Sequence, residues 1–343
     1  MDQNELTISI LVPCYNEEKT IRKCVLSWLN QTRPADEVIV VNDCSTDGTL
    51  KVLKEFKDRI KIVKLKRNTG NKSFVQEKGL KHIKTDIFIA TDADTMMDEG
   101  FVEKVHSAFQ DPNVSAFAGY VKSLRHNWLT ACREIDYIIA QNLHKAAQNN
   151  INFLLVIPGC AGAFRTEVFK KYIAFDHDTL TEDLDFTFKI NKNNLKIAYD
   201  QKAVVYTQDP DHLRSYINQM RRWYSGNWQN ILKHINIVKK PIRAMEVSLI
   251  YMEGLVFYFL MFLIPILNIK SFFYLVAYCA TLGIGFGTYA AIKRRRLDLL
   301  LYSPAYIFVS YINAYLFLEQ FVKEVILRKR NSIWFHPERR AIT

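Results

Sequence analysis

The stretch Ile87-Phe88-Ile89-Ala90-Thr91-Asp92-Ala93-Asp94-Thr95 decides the fold. Three apolar residues of strand character run into two carboxylates one residue apart. That pattern reads as a buried β-strand ending with its acids at a sheet edge. Open α/β sheets bind their ligands there. Side chains alternate along a strand, so Asp92 and Asp94 are expected to project the same way. Together they would share one hard cation, with phosphate oxygens completing its shell. An isolated Asp-x-Asp also suits a plain turn, so the flanking sequence has to decide.

Upstream, Thr7 to Val12 is a short β-rich run, and Pro13, which lacks a backbone donor, is expected to end it. Cys14 to Ile21 then opens a helix with acids in its first turn, as the macrodipole favours. Glu37 to Val41 is the next strand and ends in Asn42-Asp43-Cys44-Ser45-Thr46-Asp47-Gly48-Thr49. In a β-α-β unit this second acidic turn falls on the same sheet edge as the first. A third strand, Ile60 to Leu65, leads into Arg67-Asn68-Thr69-Gly70-Asn71-Lys72, a polar loop whose glycine and lysine suit a phosphate. A helix from about Ser73 to Ile83 feeds the Asp92/Asp94 strand. Strand and helix alternate throughout, so the fold class is α/β, a doubly wound nucleotide-binding half. No G-x-G-x-x-G follows the first strand and no G-x-x-x-x-G-K-[ST] occurs, which argues against dinucleotide and Walker-type phosphate sites.

The chain has 343 residues, 49% hydrophobic and 24% charged. That average hides a split: alternating apolar and charged segments to about residue 240, then nearly continuous apolar sequence from Val247. Much of the net charge of +11 flanks the apolar part, at 239–243, 293–296 and 328–330. Basic residues beside apolar spans are explained by anionic membrane lipids and the positive-inside rule rather than by nucleic acid. Met1 to Ser9 lacks the basic and apolar regions of a signal peptide, so the front half is expected in the cytosol. The six cysteines are scattered, without C-x-x-C, and read as reduced packing residues.

Pro13-x-Tyr15-Asn16-Glu17, Asn42-Asp43-x-Ser45-x-Asp47-Gly48-Thr49, Asn68-x-Gly70-x-Lys72 and Asp92-x-Asp94 resemble the successive N-terminal motifs of the GT-A nucleotide-sugar glycosyltransferases of family 2. The resemblance implies that Pro13, Tyr15, Glu17 and Asp43 surround the uracil and ribose of a UDP-sugar. It also implies that Lys72 lies near the diphosphate, and that Asp92 and Asp94 hold the sugar nucleotide and a divalent metal, Mg2+ or Mn2+. Asn42 stands where many relatives carry an acid. Leu180-Thr181-Glu182-Asp183-Leu184 resembles the T-E-D segment that holds this family's catalytic base. Asp183 is therefore expected to deprotonate the acceptor hydroxyl, with Glu182 beside it as catalytic and acceptor-binding residue. Helix capping by Thr181 or Asp183 is the structural alternative. Pro158-Gly159-Cys160-Ala161-Gly162 allows close backbone approach to a ligand, or simply a packing turn.

Gln219-x-x-Arg222-Trp223 matches the Q-x-x-R-W motif of the polysaccharide synthases in this family, and helical spacing puts all three on one face. Arg222 and Gln219 are then expected at the diphosphate and Trp223 under the acceptor sugar. The same segment also reads as an amphipathic helix resting on the membrane. Leu124 to Gln148 is either a second such helix or a core helix. Val247 to Leu267 and Phe272 to Ile292 are each about 20 residues, enough to span a bilayer, and Leu299 to Val322 is a third, more aromatic candidate carrying Glu319. If all three cross, the basic C-terminal end emerges outside, against the positive-inside rule, so either the third stretch lies in the interface or re-enters, or the rule fails here.

The expected organisation is a cytosolic GT-A domain (1–211), an interfacial Q-x-x-R-W region (212–245), a region of two to three C-terminal transmembrane helices (246–327) and a basic tail (328–343). The tail and the apolar layout resemble poly-N-acetylglucosamine synthases. Those carry membrane helices ahead of the catalytic domain that this sequence lacks, so an additional membrane or export subunit joins the expected partners. The expected function is inverting, metal-dependent transfer from a UDP-sugar to a growing polysaccharide or lipid-linked glycan, at the cell membrane. The alternatives are single-sugar transfer to a polyprenyl phosphate and a non-catalytic membrane protein that binds nucleotide or glycan.

Overall fold

The structure is a computed structural model that describes residues 5–235, 247, 251–252, 254–331 and 340–341. Its elements begin with β1 (Ile8–Cys14), α1 (Ile21–Leu29), β2 (Glu37–Asn42), α2 (Thr49–Lys54), β3 (Lys61–Lys64), α3 (Lys72–Leu80) and β4 (Ile87–Ala90). Next come β5 (Met96–Met97), α4 (Phe101–Ala108), β6 (Val114–Ser123), α5 (Trp128–Ile139), α6 (Lys145–Asn150), β7 (Gly162–Arg165), α7 (Thr166–Val168), α8 (Glu182–Lys192) and β8 (Lys196–Thr207). The rest is helical: α9 (Leu213–Lys233), α10 (Gly254–Leu267), α11 (Ile269–Arg294) and α12 (Ser303–Phe321). A π-helical turn, Ala140–His144, joins α5 to α6, a 3-10 turn, Leu297–Tyr302, precedes α12, and another π turn, Val322–Ile326, extends it.

The strands form one sheet in the order β3-β2-β1-β4-β7-β6-β8-β5. The first four are parallel. Their 3-2-1-4 order is that of a doubly wound half, and its switch point lies between β1 and β4. β7 runs antiparallel to β4 and β6, while β8 runs parallel to β6. The central parallel strands β1, β2 and β4 are buried almost throughout and mainly apolar, while the edge strand β3 exposes Lys61 and Lys64. On one face Leu11, Ile39, Val41 and Phe88 pack with Val75 and Leu80 of α3 and Phe186 and Ile190 of α8. Phe164 sits at the centre of an aromatic group, 5.2 Å from Phe88, 5.0 Å from Phe169 and 5.0 Å from Phe186 by ring centroid. A Cβ on Gly79 would lie 2.3 Å from Leu11 Cδ1 and 2.8 Å from Val41 Cγ2, so α3 rests directly on β1 and β2.

Three local expectations are corrected. Pro13 does not end β1, because it pairs in register with Val41. Leu11 O accepts from Thr91 N on the β4 side at 3.2 Å. Residues i and i+2 of a strand face the same neighbour, so Pro13 points beyond Ala90, where β4 has ended and no donor is needed. The helix after β1 starts at Ile21, and no acid lies in its first turn. Asp92 and Asp94 lie past the end of β4 in a turn closed by Thr95 N to Asp92 O at 3.0 Å, so strand alternation does not govern their directions.

The chain forms two compact units that are not consecutive in sequence. The first comprises residues 1–124, 145–208 and 338–343, and the second 125–144 and 209–337. In the second, α5 is a core helix. Leu129 and Cys132 pack with Tyr216 and Met220 of α9 and with Val309 and Leu316 of α12, while Ile135 and Ile138 pack with Ala290, Ala291 and Leu299. Among the described residues, two helical segments, Ile269–Arg294 and Leu297–Ile326, are long and apolar enough to cross a membrane, and Gly254–Leu267 is shorter. Most of the first expected span ahead of Gly254 falls outside the described residues.

Candidate active site

The carboxyl ends of β1, β2 and β4 carry the acidic motifs, and hydrogen bonds between loops explain why those residue types recur there. Asn16 adopts a left-handed backbone with φ 53°. Its N–H donates to Ser45 Oγ at 3.0 Å, and its Oδ1 accepts from Thr46 N at 2.8 Å. Glu17 N–H donates to Thr49 Oγ1 at 2.7 Å, and Thr20 Oγ1 donates to the Glu17 carboxylate at 2.7 Å. Glu18 accepts from Gly48 N at 2.9 Å, and a Cβ on Gly48 would lie 2.3 Å from the Glu18 carboxylate. Thus the loop after β1 is stitched to the loop after β2, with Pro13 and Tyr15 beside them at the end of β1.

Asp43 is buried and ties the third loop in, accepting from Thr69 N at 3.0 Å and from Thr69 Oγ1 at 2.9 Å. Burial raises its pKa against the opposing pull of those bonds. Asn71 caps α3 by accepting from Ser73 N at 2.9 Å, which sets Lys72 on the first turn.

Lys72 is the junction of the site. Its Nζ lies 2.7 Å from Asp92 Oδ1 and 2.9 Å from Glu182 Oε1. Burial works against the ammonium, but Asp92 and Glu182 outweigh it and hold the lysine well above its ordinary range. A Cβ on Gly159 would sit 3.1 Å from Lys72 Nζ, 3.5 Å from Asp183 Cβ and 3.5 Å from Glu182 Oε1, so the Pro158–Gly162 turn forms a wall beside all three. The Cys160 thiol is pushed up by its own burial and then by Asp92, Asp94 and Asp183, with Lys72 opposing. Lys72, Asp92 and Glu182 are thus in direct contact, with Asp183 against the same Gly159 turn, and Asp94 acts on the Cys160 thiol beside them. Asp183 is half-buried at the start of α8, and one of its oxygens accepts from Leu184 N at 2.9 Å. Thr181 occupies the N-cap position without a side-chain capping bond.

Two features escaped the sequence reading. Lys145 is buried at the start of α6, its Nζ 5.8 Å from the centroid of the Tyr199 ring. Burial pushes its pKa down to about 8, against the fields of Cys160 and Asp183. In sequence it reads as one more lysine on a polar helix. His177, five residues before Glu182, lies 2.7 Å from Ser73 Oγ and 3.3 Å from Glu77 Oε2, and stacks on Phe74 at 3.6 Å. It pins the segment ahead of the T-E-D motif to the same helix that carries Lys72; no sequence motif marks it.

Gln219, Arg222 and Trp223 lie on α9 in the second unit. Gln219 is buried, and its Oε1 has no hydrogen-bond partner among the described residues. The Trp223 ring faces the Arg133 guanidinium at 5.1 Å, and Arg133 also meets Asp136 at 2.8 Å and Asp209 at 3.5 Å.

Among the described residues no three metal-ligating side chains cluster. Asp92 and Asp94 are hard oxygen donors of the kind Mg2+ takes, and one oxygen of Asp92 is held by Lys72 Nζ at 2.7 Å.

Residues 5–226 match the family model described as glycosyltransferase like family 2. The poly-beta-1,6-N-acetyl-D-glucosamine synthase of Staphylococcus epidermidis is 27% identical over 230 residues, 66% of this chain and 56% of that protein. An N-acetylglucosaminyltransferase of Azorhizobium caulinodans is 27% identical over 248 residues, 68% of this chain and 62% of that one. The match thus spans little more than half the length of these relatives. Among solved structures, the mannosyltransferase PcManGT of Pyrobaculum calidifontis, in complex with GDP-Man and Mn2+, has a TM-score of 0.65 at 21% identity over 95% of this chain and 89% of that one. S. aureus TarS with UDP-GlcNAc has a TM-score of 0.51 at 20% identity over 93% of this chain and 92% of that one. These neighbours share the mixed-sheet GT-A fold. On that family match and the order of its motifs, the chain belongs to glycosyltransferase family 2.

Proposed function

We propose that the protein transfers a sugar of the N-acetylglucosamine type from its UDP donor to a growing polysaccharide or membrane glycan, with inversion and with Mg2+ or Mn2+. The observation that carries this reading is Lys72, which joins the donor-side acid Asp92 to Glu182, next to the candidate base Asp183. An acceptor hydroxyl is a poor nucleophile at neutral pH. The Asp183 carboxylate takes its proton as the oxygen attacks the anomeric carbon and the bond to the diphosphate breaks. Attack from the face opposite the leaving group inverts the anomeric centre. Glu182, fixed by Lys72, orients the acceptor. Asp92 and Asp94 would hold the divalent ion, which when bound neutralises charge on the departing diphosphate. The relatives named for N-acetylglucosamine transfer support the donor.

The test is UDP release by the purified full chain in detergent, with a panel of nucleotide sugars and Mg2+ or Mn2+. UDP-N-acetylglucosamine should be turned over, and Asp183→Asn should lose roughly 10²–10⁴ of the rate, the usual worth of a general base. An Asp183→Asn variant as fast as the parent refutes the assignment. A ladder of products supports polymerisation; a single polyprenyl-linked sugar refutes it.

A further inference from the structure

We propose that, among the described residues, only the α10–α11 hairpin enters the lipid bilayer, and that α12 runs along the aqueous boundary beside α9, returning the C-terminal end to the side of the sheet. This does not rest on the donor or the reaction.

The hairpin has the surface that lipid requires. Asn268 separates its arms and caps α11, accepting from Lys270 N at 2.9 Å. Phe257 and Tyr278, about equally far from Asn268, meet at 6.0 Å, so the arms run antiparallel. α11 has 26 residues, about 39 Å of helix, enough to cross the hydrocarbon core. Large apolar side chains stand exposed on both arms, among them Phe259 at 55%, Ile266 at 81% and Phe273 at 65%.

The segment Leu297–Ile326 that holds α12 passes the same length and hydropathy test, yet from Asn313 onward it is hydrogen-bonded to the polar helix α9. Tyr216 hydroxyl donates to Asn313 at 2.8 Å, Arg221 Nε to Glu319 at 2.9 Å, Ser225 Oγ to Gln320 at 2.8 Å and Gln229 to Glu324 at 3.1 Å. Partners advance together in number, so the two helices run parallel and share one depth. α9 carries Arg214, Arg221, Arg222 and Lys233, together with five Asn or Gln side chains, which excludes it from the hydrocarbon core. A helix laddered to it is excluded too.

Described residues beyond α12 are held by polar partners. Gln229 donates to Asn331 O at 2.9 Å. Arg340, within the first unit, donates from Nη2 to Leu124 O at 2.7 Å, and its carbonyl accepts from Gln208 at 2.9 Å. The connector before α12 is tied to α5 by Arg296 to Glu134 at 3.1 Å. Both basic clusters, 293–296 and 328–330, then face the compartment of the sheet, and the conflict with the positive-inside rule disappears.

The test uses the full chain expressed in a bacterium, with green fluorescent protein or a periplasmic phosphatase fused at either end. Fluorescent and phosphatase-inactive fusions at both ends, with the protein in the carbonate-washed membrane pellet, are expected. An active phosphatase at the C-terminus, or a chain wholly in the soluble fraction, overturns the proposal. As an independent check, Lys329→Cys in a Cys279→Ser background should react with an impermeant maleimide only after permeabilisation. Labelling in intact cells overturns it.

Discussion

Replacing Lys145 by methionine should stabilise the protein at neutral pH and cost activity. The residue is buried, its Nζ 5.8 Å from the Tyr199 ring centroid, with its pKa pushed down to about 8, mainly by burial. An unfolded lysine titrates near 10.4, so between about pH 8 and 10.4 the unfolded chain holds a proton that the folded chain has released. Stability therefore rises with pH across that window, and below about pH 8 the full penalty stands. At 1.36 kcal/mol per tenfold, the penalty is about 3 kcal/mol as a ceiling. Losing the contact with the Tyr199 ring returns roughly 0.5–1 kcal/mol, leaving a net gain of about 2 kcal/mol at pH 7. For a unit of this size that amounts to a melting-temperature rise of roughly 4–8 °C. Scanning fluorimetry of both proteins at pH 7 and pH 10 reads it directly: the gain should be large at pH 7 and mostly gone at pH 10. An equal gain at both, or a loss at pH 7, refutes the reasoning. Because Asp183 lies within the field of Lys145, the variant should also show the acid limb of its pH–rate profile moved to higher pH.

Gly48→Ala should push the Glu18 carboxylate away and lose its bond to Gly48 N–H, for about 1 kcal/mol. Donor KM should rise several-fold with little change in kcat, and calorimetric UDP binding should weaken in step. His177→Ala should lower the melting temperature by a few degrees and reduce kcat more than donor affinity, since it frees the segment before Glu182 from Ser73 and Glu77. His177→Gln, which keeps a donor, should recover part of the rate.

The parallel half of the sheet was legible because each strand is a short apolar run that ends in turn chemistry, and β-α-β units bring such ends to one edge. Pro13 misled because a missing donor matters only where a neighbour needs it, and β4 stops at Ala90. Lys145 and His177 were invisible for a related reason. Their partners, Tyr199 for one and Ser73, Phe74 and Glu77 for the other, are distant in sequence and belong to no periodic pattern. The apolar count of Leu299 to Val322 made it a candidate span, and Leu297–Ile326 passes the length and hydropathy test in the structure. Hydropathy averages away what the structure adds, the bonds of Asn313, Glu319 and Gln320 to α9.

Gly79 bears on how the cleft can move. With the helix backbone pressed against Leu11 and Val41, α3 has no slack to tilt or slide, and Lys72 at its head is a fixed post. Residues 176–181 offer no opening either, because His177 ties them to the same helix through Ser73, Phe74 and Glu77. A bulkier side chain at position 79 would lift the post itself and so disturb a site whose own residues were left untouched.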